Sequence, residues 1–454
     1  MHKLLIANRG EIACRVIAAC RPLGIEAAAV YSEADAGSLH VELADEAICI
    51  GPAKPQESYL KADAILAAAA QSGADAIHPG YGFLAENAGF ARAVEQAGLI
   101  WVGPRPDSIA DMGDKERARQ IAQSVRVPVL PGSVRFGASD PAGLAAAADA
   151  IGYPLLVKAA AGGGGIGMGR VDDRADLAKV ASATQTMAER SFGDGAIYLE
   201  HLVTNARHIE VQIFGFGDGN AVHLNERECS IQRRYQKIIE ECPAPGLSQA
   251  ARETMADAAL RIAAAQRYRG AGTVEFVLDG ESGEFFFLEM NTRIQVEHPV
   301  TEMVTGEDLV GLQLRLARGD DLSELTQERI RANGHAIECR LYAENPKKMF
   351  LPSPGKLDAL AFPAQADGVR IDAGVRQGDQ ITIHYDPMVA KVICHGRDRA
   401  EAIAKIRDTL EATRLEGLES NLEFLQRTLS HQAFAAGDIH TGFVDQHKEA
   451  LVGN

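Results

Sequence analysis

The chain has 454 residues, a formal net charge of −16 at pH 7, 46% hydrophobic residues and 24% charged residues. This length is about three times that of a typical domain, so two to four compact units are expected. The acidic balance argues against a basic surface for a phosphate backbone, and no nucleic-acid partner is expected. Seven cysteines without a CxxC pair favour reduced thiols. Because no apolar run reaches membrane-spanning length, a cytoplasmic protein without a membrane partner is predicted.

The N-terminal part alternates short apolar runs with amphipathic helical periods. In chain order, strand and helix patterns fall at residues 3–7, 11–23, 25–31, 47–50, 59–71, 74–78, 87–97 and 99–102. This alternation predicts right-handed βαβ units and a parallel, Rossmann-like sheet. No GxGxxG follows the first strand, so a dinucleotide cofactor is not expected.

Proline and glycine residues divide the rest of the chain. A polar helical stretch follows Pro104 and Pro106, and a small α/β unit follows Gly132. Beyond residue 205 the pattern is strand-rich, with hairpins that turn at 216–219 and 279–283. Further strands after residue 334 precede two helices, at 399–413 and 418–429.

A glycine-rich run follows Lys158. Six of the eight residues from Gly162 to Gly169 are glycine, and their bare N–H groups can wrap an anion. Lys158, at the end of the preceding strand, would add positive charge beside phosphates. No Gly-Lys-Ser/Thr follows, so this is not a Walker A loop. A flexible hairpin tip explains a lone glycine run equally well.

Acidic residues on the last hairpin suggest a metal site. If strands 272–279 and 284–291 pair, Glu275 lies opposite Glu289, and Asn291 projects from the same face as Glu289. Facing carboxylates repel unless a cation lies between them, and such oxygen ligands suit Mg²⁺. A solvated face with unrelated acids is the alternative, but the apolar run 285–288 favours a half-buried sheet.

The segment 291–299, NTRIQVEHP, continues that strand. Arg293 could clamp a small planar oxyanion, and Glu297 could act as a base beside it. Without the neighbouring acids, a loop that satisfies its own backbone would be the better interpretation. The upstream segment 228–237 adds cations including Lys237, which alone would more often form a solvated basic turn.

Together these segments resemble the biotin carboxylase family over essentially the whole chain, and MNTRIQVEHPVTE is the most specific of them. The other matching motifs are IANRGEIACRV, HPGYGFLAEN, GDKERAR, GGGGIGM, RHIEVQ, ERECSIQRRYQK, HAIECRLYAENP, YDPMVAKVI and IHTGF. The resemblance implies a mixed α/β and α+β fold in five parts. These are an N-terminal Rossmann-like domain (1–104), linker helices (105–131), a mobile ATP-grasp lid (132–203), an ATP-grasp catalytic core (204–333) and a C-terminal domain (334–449).

Position within these motifs implies the site residues. Mg²⁺, or Mn²⁺ in its place, would be held by Glu275, Glu289 and Asn291. Bicarbonate would contact Lys237, Arg293, Gln295, the Val296 backbone and Glu297, and Arg340 would face the ureido oxygen of biotin. The catalytic residues would be Lys237, Arg293, Glu297 and Arg340. The ATP site would comprise Lys115, Lys158, Gly163, Gly164, Gly165, Gly167, Met168, Glu200, His201, Val203, His208, Gln232, Tyr235, Glu275, Glu289 and Ile439.

The implied activity is the MgATP-dependent carboxylation of biotin by bicarbonate through carboxyphosphate. The sequence shows no Met-Lys-Met biotinylation motif, so biotin is expected on a partner carrier protein or domain. A carboxyltransferase subunit and a homodimeric state are also expected, whereas the final acceptor is not readable. Two alternatives stay open: another ATP-grasp ligase that forms an acyl-phosphate, and a nucleotide-binding subunit without turnover.

Four positions depart from the pattern usual in the family. Ile166 and Gly169 stand where basic residues are often found in and beside the glycine run, and His201 stands where lysine is usual. Tyr235 replaces a histidine near the nucleotide, so it keeps a ring and a hydrogen-bonding tip without a titratable nitrogen. These changes are expected to affect nucleotide affinity more than the reaction.

Overall fold

A computed structural model describes residues 1–137, 143–160, 167–233, 236–364 and 366–453. The predictions for Gly163, Gly164, Gly165 and Tyr235, and the departure at Ile166, lie outside these residues. None of the helices in the described ranges is both long and apolar enough to cross a membrane.

The N-terminal part forms a five-stranded parallel sheet with the strand order β3-β2-β1-β4-β5. Leu4, Leu5 and Ile6 of the central strand are completely buried, because helices cover both faces. The predicted Rossmann-like sheet is therefore confirmed. Its elements are β1 (Lys3–Ile6), α1 (Gly10–Cys20), β2 (Glu26–Tyr31), α2 (Leu39–Leu43), β3 (Glu46–Cys49), α3 (Ala62–Ser72), β4 (Ala76–His78), α4 (Ala88–Gln96) and β5 (Ile100–Trp101).

Two helices lead into a small unit built on a three-stranded antiparallel sheet of order β7-β6-β8. Lys158 lies on β6, and most of the glycine run falls between β6 and β7, whose first two residues are its last, Met168 and Gly169. At Gly169 a Cβ atom would lie 2.4 Å from Val180 Cγ1, so helix α8 packs where a side chain would stand. The elements are α5 (Pro106–Gly113), α6 (Lys115–Ser124), α7 (Leu144–Ile151), β6 (Leu155–Ala159), β7 (Met168–Val171), α8 (Leu177–Phe192) and β8 (Ile197–His201).

The strand-rich region forms both predicted hairpins. Strand β9 pairs antiparallel with β10 across the turn at 216–219, and β12 pairs with β13 across the turn at 279–283. The elements are β9 (Ala206–Phe216), β10 (Ala221–Arg233), β11 (Gln236–Cys242), α9 (Gln249–Ala265), β12 (Arg269–Asp279), β13 (Phe285–Asn291), α10 (His298–Thr305) and α11 (Leu309–Arg318).

The remaining chain adds three strands to this sheet, whose full order is β13-β12-β9-β10-β11-β14-β21-β19. Strands from both sides of residue 334 thus belong to one sheet. The domain division predicted at this residue stays a prediction. The elements are β14 (His335–Tyr342), β15 (Glu344–Asn345), β16 (Leu351–Pro352), β17 (Gly355–Lys356), β18 (Ala359–Ala361), β19 (Val369–Ala373), β20 (Gln380–Ile381), β21 (Met388–Gly396), α12 (Arg399–Glu411), β22 (Arg414–Glu416), α13 (Leu422–Ser430), α14 (Gln432–Ala436), α15 (Phe443–Gln446) and α16 (Lys448–Val452).

The N-terminal and C-terminal parts meet closely at the start of α1. A Cβ atom on Gly374, which follows β19, would lie 2.3 Å from the Glu11 nitrogen and 2.9 Å from the Gly10 Cα. Nearby, the guanidinium of Arg9 lies 4.2 Å from the centre of the Tyr385 ring. Backbone contact at Gly374 therefore fixes how the parallel sheet sits on the large sheet.

We expect Gly374→Ala to destabilise the protein by about 1–3 kcal/mol, because the added methyl group overlaps backbone atoms that cannot rotate away. Gly37→Ala is the matched control, since a Cβ atom there has no neighbour within 4 Å, and we expect a change within about 0.5 kcal/mol. Calorimetric melting of both variants measures the difference. Equal melting temperatures would show that the contact at Gly374 yields without cost.

Candidate active site

A cleft of about 460 Å³ lies between the small unit and the large sheet. Its walls combine apolar side chains, such as Leu130 and Phe287, with many charged ones. The predicted site residues that line it are Lys115, Lys158, Gly167, Met168, Glu200, His201, Val203, His208, Gln232, Lys237, Glu275, Glu289, Asn291, Arg293, Gln295, Val296, Glu297 and Arg340.

Ile439 is placed differently from these residues. It is 3% exposed and packs in the apolar core beneath α12 and α13. Thr441, two residues further on, lines the cleft instead, and its N–H donates to the Ala206 carbonyl at 2.8 Å. A contact of Ile439 with ATP stays a prediction.

The ammonium of Lys237 lies among three buried carboxylates. Its Nζ is 2.5 Å from Glu210 Oε2, 2.8 Å from Glu275 Oε1 and 2.7 Å from Glu297 Oε1. Burial alone would favour the neutral amine, but these three charges raise the pKa of Lys237 well above its usual value. Lys237 therefore stays charged and holds acids from three separate segments together.

Arg227 supports this cluster from beneath. It is fully buried on β10, and its Nε donates to Glu210 Oε1 at 2.5 Å. Its Nη2 donates to Gln295 Oε1 at 2.7 Å, and Gln295 Nε2 in turn donates to Glu275 Oε1 at 2.7 Å. The guanidinium thus fixes the orientation of the Gln295 amide, a predicted bicarbonate ligand.

Glu297 bridges Lys237, which is predicted to contact bicarbonate, and Arg340, which is predicted to face the ureido oxygen of biotin. Its Oε2 accepts from Arg340 Nη2 at 3.0 Å while its Oε1 accepts from Lys237. Although burial favours the neutral acid, these cations lower the pKa of Glu297 strongly. Glu297 is therefore ionised at neutral pH. The Nε of Arg340 is buried and has no acceptor among the described residues.

Arg293 lies on the far side of this group. Its Nη2 donates to Asn291 Oδ1 at 2.8 Å, and its Nε donates to Glu86 Oε2 at 2.9 Å. Glu86 belongs to the HPGYGFLAEN segment, so the N-terminal domain orients Arg293. Its Nη1 donates to the Ile294 carbonyl at 3.3 Å, and Arg293 lines the cleft, where its other N–H groups can meet a small anion.

The predicted metal ligands meet as expected. Glu275 and Glu289 are direct partners across β12 and β13. Asn291 Nδ2 donates to Glu275 Oε1 at 2.7 Å. Glu275 is balanced by Lys237 and by His208, whose Nε2 is 2.8 Å from Glu275 Oε2. Glu289, in contrast, makes no ion pair or hydrogen bond within the described residues.

This imbalance fits a divalent cation. Although the Glu289 side chain is open to the cleft, the surrounding protein and the negative charge of Glu275 raise its pKa, and no direct ionic partner among the described residues balances its charged form. An all-oxygen donor set of two carboxylates and an amide suits Mg²⁺, which keeps other positions for water and phosphate. The residues present therefore fit the predicted ion.

Lysines from the linker helices and the small unit face this acidic wall. Lys158 pairs with Glu200, which Arg119 Nη1 also reaches at 3.2 Å. Burial opposes the charge of Lys158, but Glu200 outweighs it and raises the pKa. Burial lowers the pKa of Lys115, and the cleft around it contains Glu289 and Glu200. These cations provide the local positive charge that a polyphosphate needs.

Sequence reasoning missed several of these residues. Glu210 and Arg227 lie in the motifs RHIEVQ and ERECSIQRRYQK, but a cation and an acid on different strands give no pairing signal. Arg119 lies in GDKERAR and was not assigned. Cations alone would more often form a solvated basic turn, but Arg233 and Lys237 of the segment 228–237 are largely buried, with side chains 10% and 12% exposed.

Three family profiles match consecutive parts of the chain. They describe the biotin carboxylase N-terminal domain (1–109), the ATP-binding domain of the carbamoyl-phosphate synthase L chain (114–325) and the biotin carboxylase C-terminal domain (338–446). Biotin carboxylase 1 of Bacillus subtilis is 48% identical over 449 residues, which are 98% of this chain and 99% of that protein. The chain belongs to the biotin carboxylase family.

Other family members match with different coverage. The mitochondrial methylcrotonoyl-CoA carboxylase subunit alpha of Mus musculus is 49% identical over 99% of this chain, which spans only 62% of that protein. The biotin carboxylase domain dimer of Hydrogenobacter thermophilus 2-oxoglutarate carboxylase, solved with MgADP, ADP and bicarbonate, has a TM-score of 0.95 at 42% identity and covers 100% of this chain and 99% of that one. The predicted family and fold are confirmed.

A second pair of carboxyl groups lies behind Arg340 in this biotin carboxylase fold. Glu240 on β11 and Glu338 on β14 are direct cross-strand partners, and both are completely buried. Arg340 Nη2 lies 2.6 Å from Glu240 Oε1, whereas neither oxygen of Glu338 has a hydrogen-bonding partner in the described chain. Burial raises the pKa of Glu240 to about 7 and the pKa of Glu338 well above its usual value.

We expect Glu338→Gln to be better tolerated as the pH rises. A raised pKa means that the folded protein binds the proton more tightly than the unfolded chain does. Wild-type stability should therefore fall as the pH rises from about 5 through the folded pKa. Glutamine keeps the shape and cannot ionise, so the melting temperature of the variant relative to wild type should rise by roughly 1–3 °C between pH 6 and 8.5.

Glu241→Gln is the matched control for this melting series. Glu241 is equally buried on β11, but His335 and Arg399 pair with it and lower its pKa against the effect of burial. The Glu241→Gln variant should be less stable than wild type at neutral pH. The two melting temperatures should become equal only in acid. A Glu338→Gln difference that is constant with pH would show that Glu338 carries no titrating proton.

Proposed function

We propose that the chain catalyses the MgATP-dependent carboxylation of carrier-bound biotin by bicarbonate, with carboxyphosphate as the intermediate. The observation that carries this proposal is the arrangement around Glu297, an ionised carboxylate held between Lys237 and Arg340. One cation faces the acids of the predicted metal site, and the other has a buried Nε–H without an acceptor among the described residues. Glu297 thus lies between the subsite proposed for bicarbonate and the subsite proposed for biotin.

The nucleotide would bind across the cleft with its phosphates towards Lys115, Lys158 and His208. Glu275, Glu289 and the Asn291 side-chain oxygen would hold Mg²⁺, which would neutralise phosphate charge when bound. Apolar lining residues such as Leu202 and Val203 offer a surface for the adenine ring. Gly167 and Met168 line the same cleft, which brings the backbone of these two residues to the space where phosphate would bind.

Bicarbonate would bind beside Lys237, Arg293, Gln295 and the Val296 backbone. Glu297 takes its proton, and the resulting dianion attacks the γ-phosphorus as the bond to the ADP oxygen breaks. Paired with two cations, Glu297 is a weak base. Bicarbonate adds a negative charge and competes for the same hydrogen bonds, and both effects raise the pKa of Glu297 when the base is needed.

Carboxyphosphate would then break down to CO₂ and phosphate within the closed cleft. Phosphate takes the proton from the ureido nitrogen of biotin, and this nitrogen attacks CO₂. Arg340 would donate to the ureido oxygen, on which negative charge develops. Because carboxyphosphate is labile in water, a small unit that closes over the cleft would protect it.

The reaction also implies partner proteins that supply biotin and use the carboxyl group. We propose a biotin carrier protein or domain and a carboxyltransferase as partners, because the mouse relative is the alpha subunit of a methylcrotonoyl-CoA carboxylase. A homodimer is proposed from the domain dimer of the Hydrogenobacter relative. The cytoplasmic location stays a prediction, since the mouse subunit is mitochondrial by name.

Purified protein with MgATP should release ADP only when bicarbonate is present, and faster when free biotin is added. Biotin is the acceptor of the CO₂ that carboxyphosphate releases, so the rate of ADP release should rise with biotin concentration in the millimolar range. A coupled ADP assay with each component omitted in turn measures this dependence. ADP release that ignores both bicarbonate and biotin would contradict the proposal and favour another ATP-grasp ligase.

Arg340→Ala and Glu297→Ala should separate the two halves of the reaction. Arg340 is assigned to the ureido oxygen of biotin, and Lys237 still pairs with Glu297 when Arg340 is replaced, so its variant should keep slow, bicarbonate-dependent ATP cleavage and lose stimulation by biotin. Glu297→Ala should lose both, because no dianion forms, at a cost of about 10²- to 10³-fold in rate. The measurement is ADP production with bicarbonate and biotin omitted in turn.

Arg399→Ala controls for the loss of a buried ion pair, since Arg399 Nε lies 2.7 Å from Glu241 Oε2 outside the cleft. Per folded molecule it should keep both activities. If Arg340→Ala loses bicarbonate-dependent cleavage as completely as Glu297→Ala, the division of roles between the two residues is wrong.

A further inference from the structure

A buried lysine that is absent from the predicted site holds the main chain of the bicarbonate segment. Lys391 lies on β21, beside Arg340 on β14, and is completely buried. Its Nζ donates to the Val296 carbonyl oxygen at 2.9 Å. That carbonyl belongs to the rigid peptide that joins Val296 to Glu297, so Lys391 restrains the backbone from which the Glu297 side chain starts.

Acids from two distant segments keep this lysine charged. Its Nζ is 3.2 Å from Glu11 Oε2 at the start of α1 and 3.7 Å from Asp372 Oδ2 on β19. Burial opposes the charge, but Glu11 and Asp372 outweigh it and raise the pKa of Lys391. Glu11 is itself fixed by the hydroxyl group of Tyr81, which donates to its Oε1. The N-terminal domain thus contributes to the position of the ammonium.

We propose that Lys391 is a positioning residue for bicarbonate activation. By holding the Val296–Glu297 peptide, it sets where the Val296 backbone and the Glu297 carboxylate meet the anion. This inference rests on the proposed function, in which both groups contact bicarbonate. ATP contacts lie on other strands, so the requirement for Lys391 should fall on bicarbonate and much less on the nucleotide.

A purely structural role makes a different forecast. A lysine that only ties three parts of the chain together would, when removed, lower stability and leave the Michaelis constants of the folded molecules unchanged. A positioning residue acts on the use of bicarbonate, so its removal raises the Michaelis constant for this substrate. Displacement of reacting groups by about 1 Å can lower the efficiency of the reaction by up to about 100-fold.

The test compares Lys391→Met with the double variant Lys391→Met/Glu11→Gln. The single variant leaves carboxylates buried without their cation, which can prevent folding. The double variant removes one of these charges, while the amide oxygen of the new glutamine can still accept from Tyr81. Steady-state kinetics should show a KM for bicarbonate raised about 10- to 100-fold, and a KM for ATP within about 3-fold of wild type.

Arg252→Met is the matched control. Arg252 also pairs with a buried glutamate, Glu226, at 2.8 Å and donates to a backbone carbonyl, that of Ala244, at 2.9 Å. It lies on α9, outside the cleft, so its replacement should lower stability without changing either Michaelis constant.

Crystal structures of wild type and the double variant provide a readout that does not depend on activity. They should show the Val296 carbonyl bonded to Lys391 in wild type and turned away in the variant. An unchanged peptide, or an unchanged KM for bicarbonate in variants of an active wild type, would overturn the inference. A wild type without bicarbonate-dependent ATP cleavage would instead refute the proposed function, and the peptide orientation would still decide the role of Lys391.

Discussion

The cleft depends on the ion pairs of Lys237, because its ammonium group is the shared partner of acids from three segments. Around it, Arg227, Lys237 and Arg340 pair with four buried carboxylates, those of Glu210, Glu240, Glu275 and Glu297. Buried charges are costly unless each is paired and hydrogen-bonded. The cluster therefore forms only when β9, β10, β11, β12 and β14 are all in register. The site consequently exists only in the completely folded sheet.

The surplus of acids in this cluster explains its electrostatics. Glu275 and Glu297, which face Lys237, have lowered pKa values and are held ionised, whereas carboxyl groups one layer away lack enough cations. Glu289 faces the cleft and lacks a partner in the described chain, and Glu338 lies behind Arg340 with both oxygens unbonded there. The first excess is directed at the space where a metal–nucleotide substrate would bind, and the second is enclosed in protein, where a proton can relieve it.

Much of the fold and part of the site followed from local sequence patterns. The alternation of apolar runs and helical periods predicted the five-stranded sheet, and the turn at 279–283 was enough to place Glu275 opposite Glu289. The helix predicted from Tyr59 begins instead at Ala62, after a 3₁₀ turn at Pro55–Glu57. Local periodicity does not distinguish such a turn from the first turn of a helix.

The missed residues share another cause. Arg227 joins Glu210 only because β9 and β10 pair, and its bond to Gln295 spans 68 residues. Glu240 meets Glu338 only because β14 follows β11 in the sheet, although a long stretch of chain separates them. In the sequence, Lys391 is one cation in an apolar strand, and only the sheet brings it to Val296. Strand order, which no single segment encodes, decided these contacts.

The unbroken eight-stranded sheet has a mechanical consequence. Lys237, Glu275 and Arg340 stand on strands of one hydrogen-bonded frame, so the places where the phosphate and the ureido nitrogen would bind hold a constant separation through the catalytic cycle. Lys158 and Glu200 stand on the separate three-stranded sheet. Any closing of the cleft would then move the three-stranded sheet against a stationary eight-stranded one, and the labile intermediate of the proposed reaction would not have to change its place.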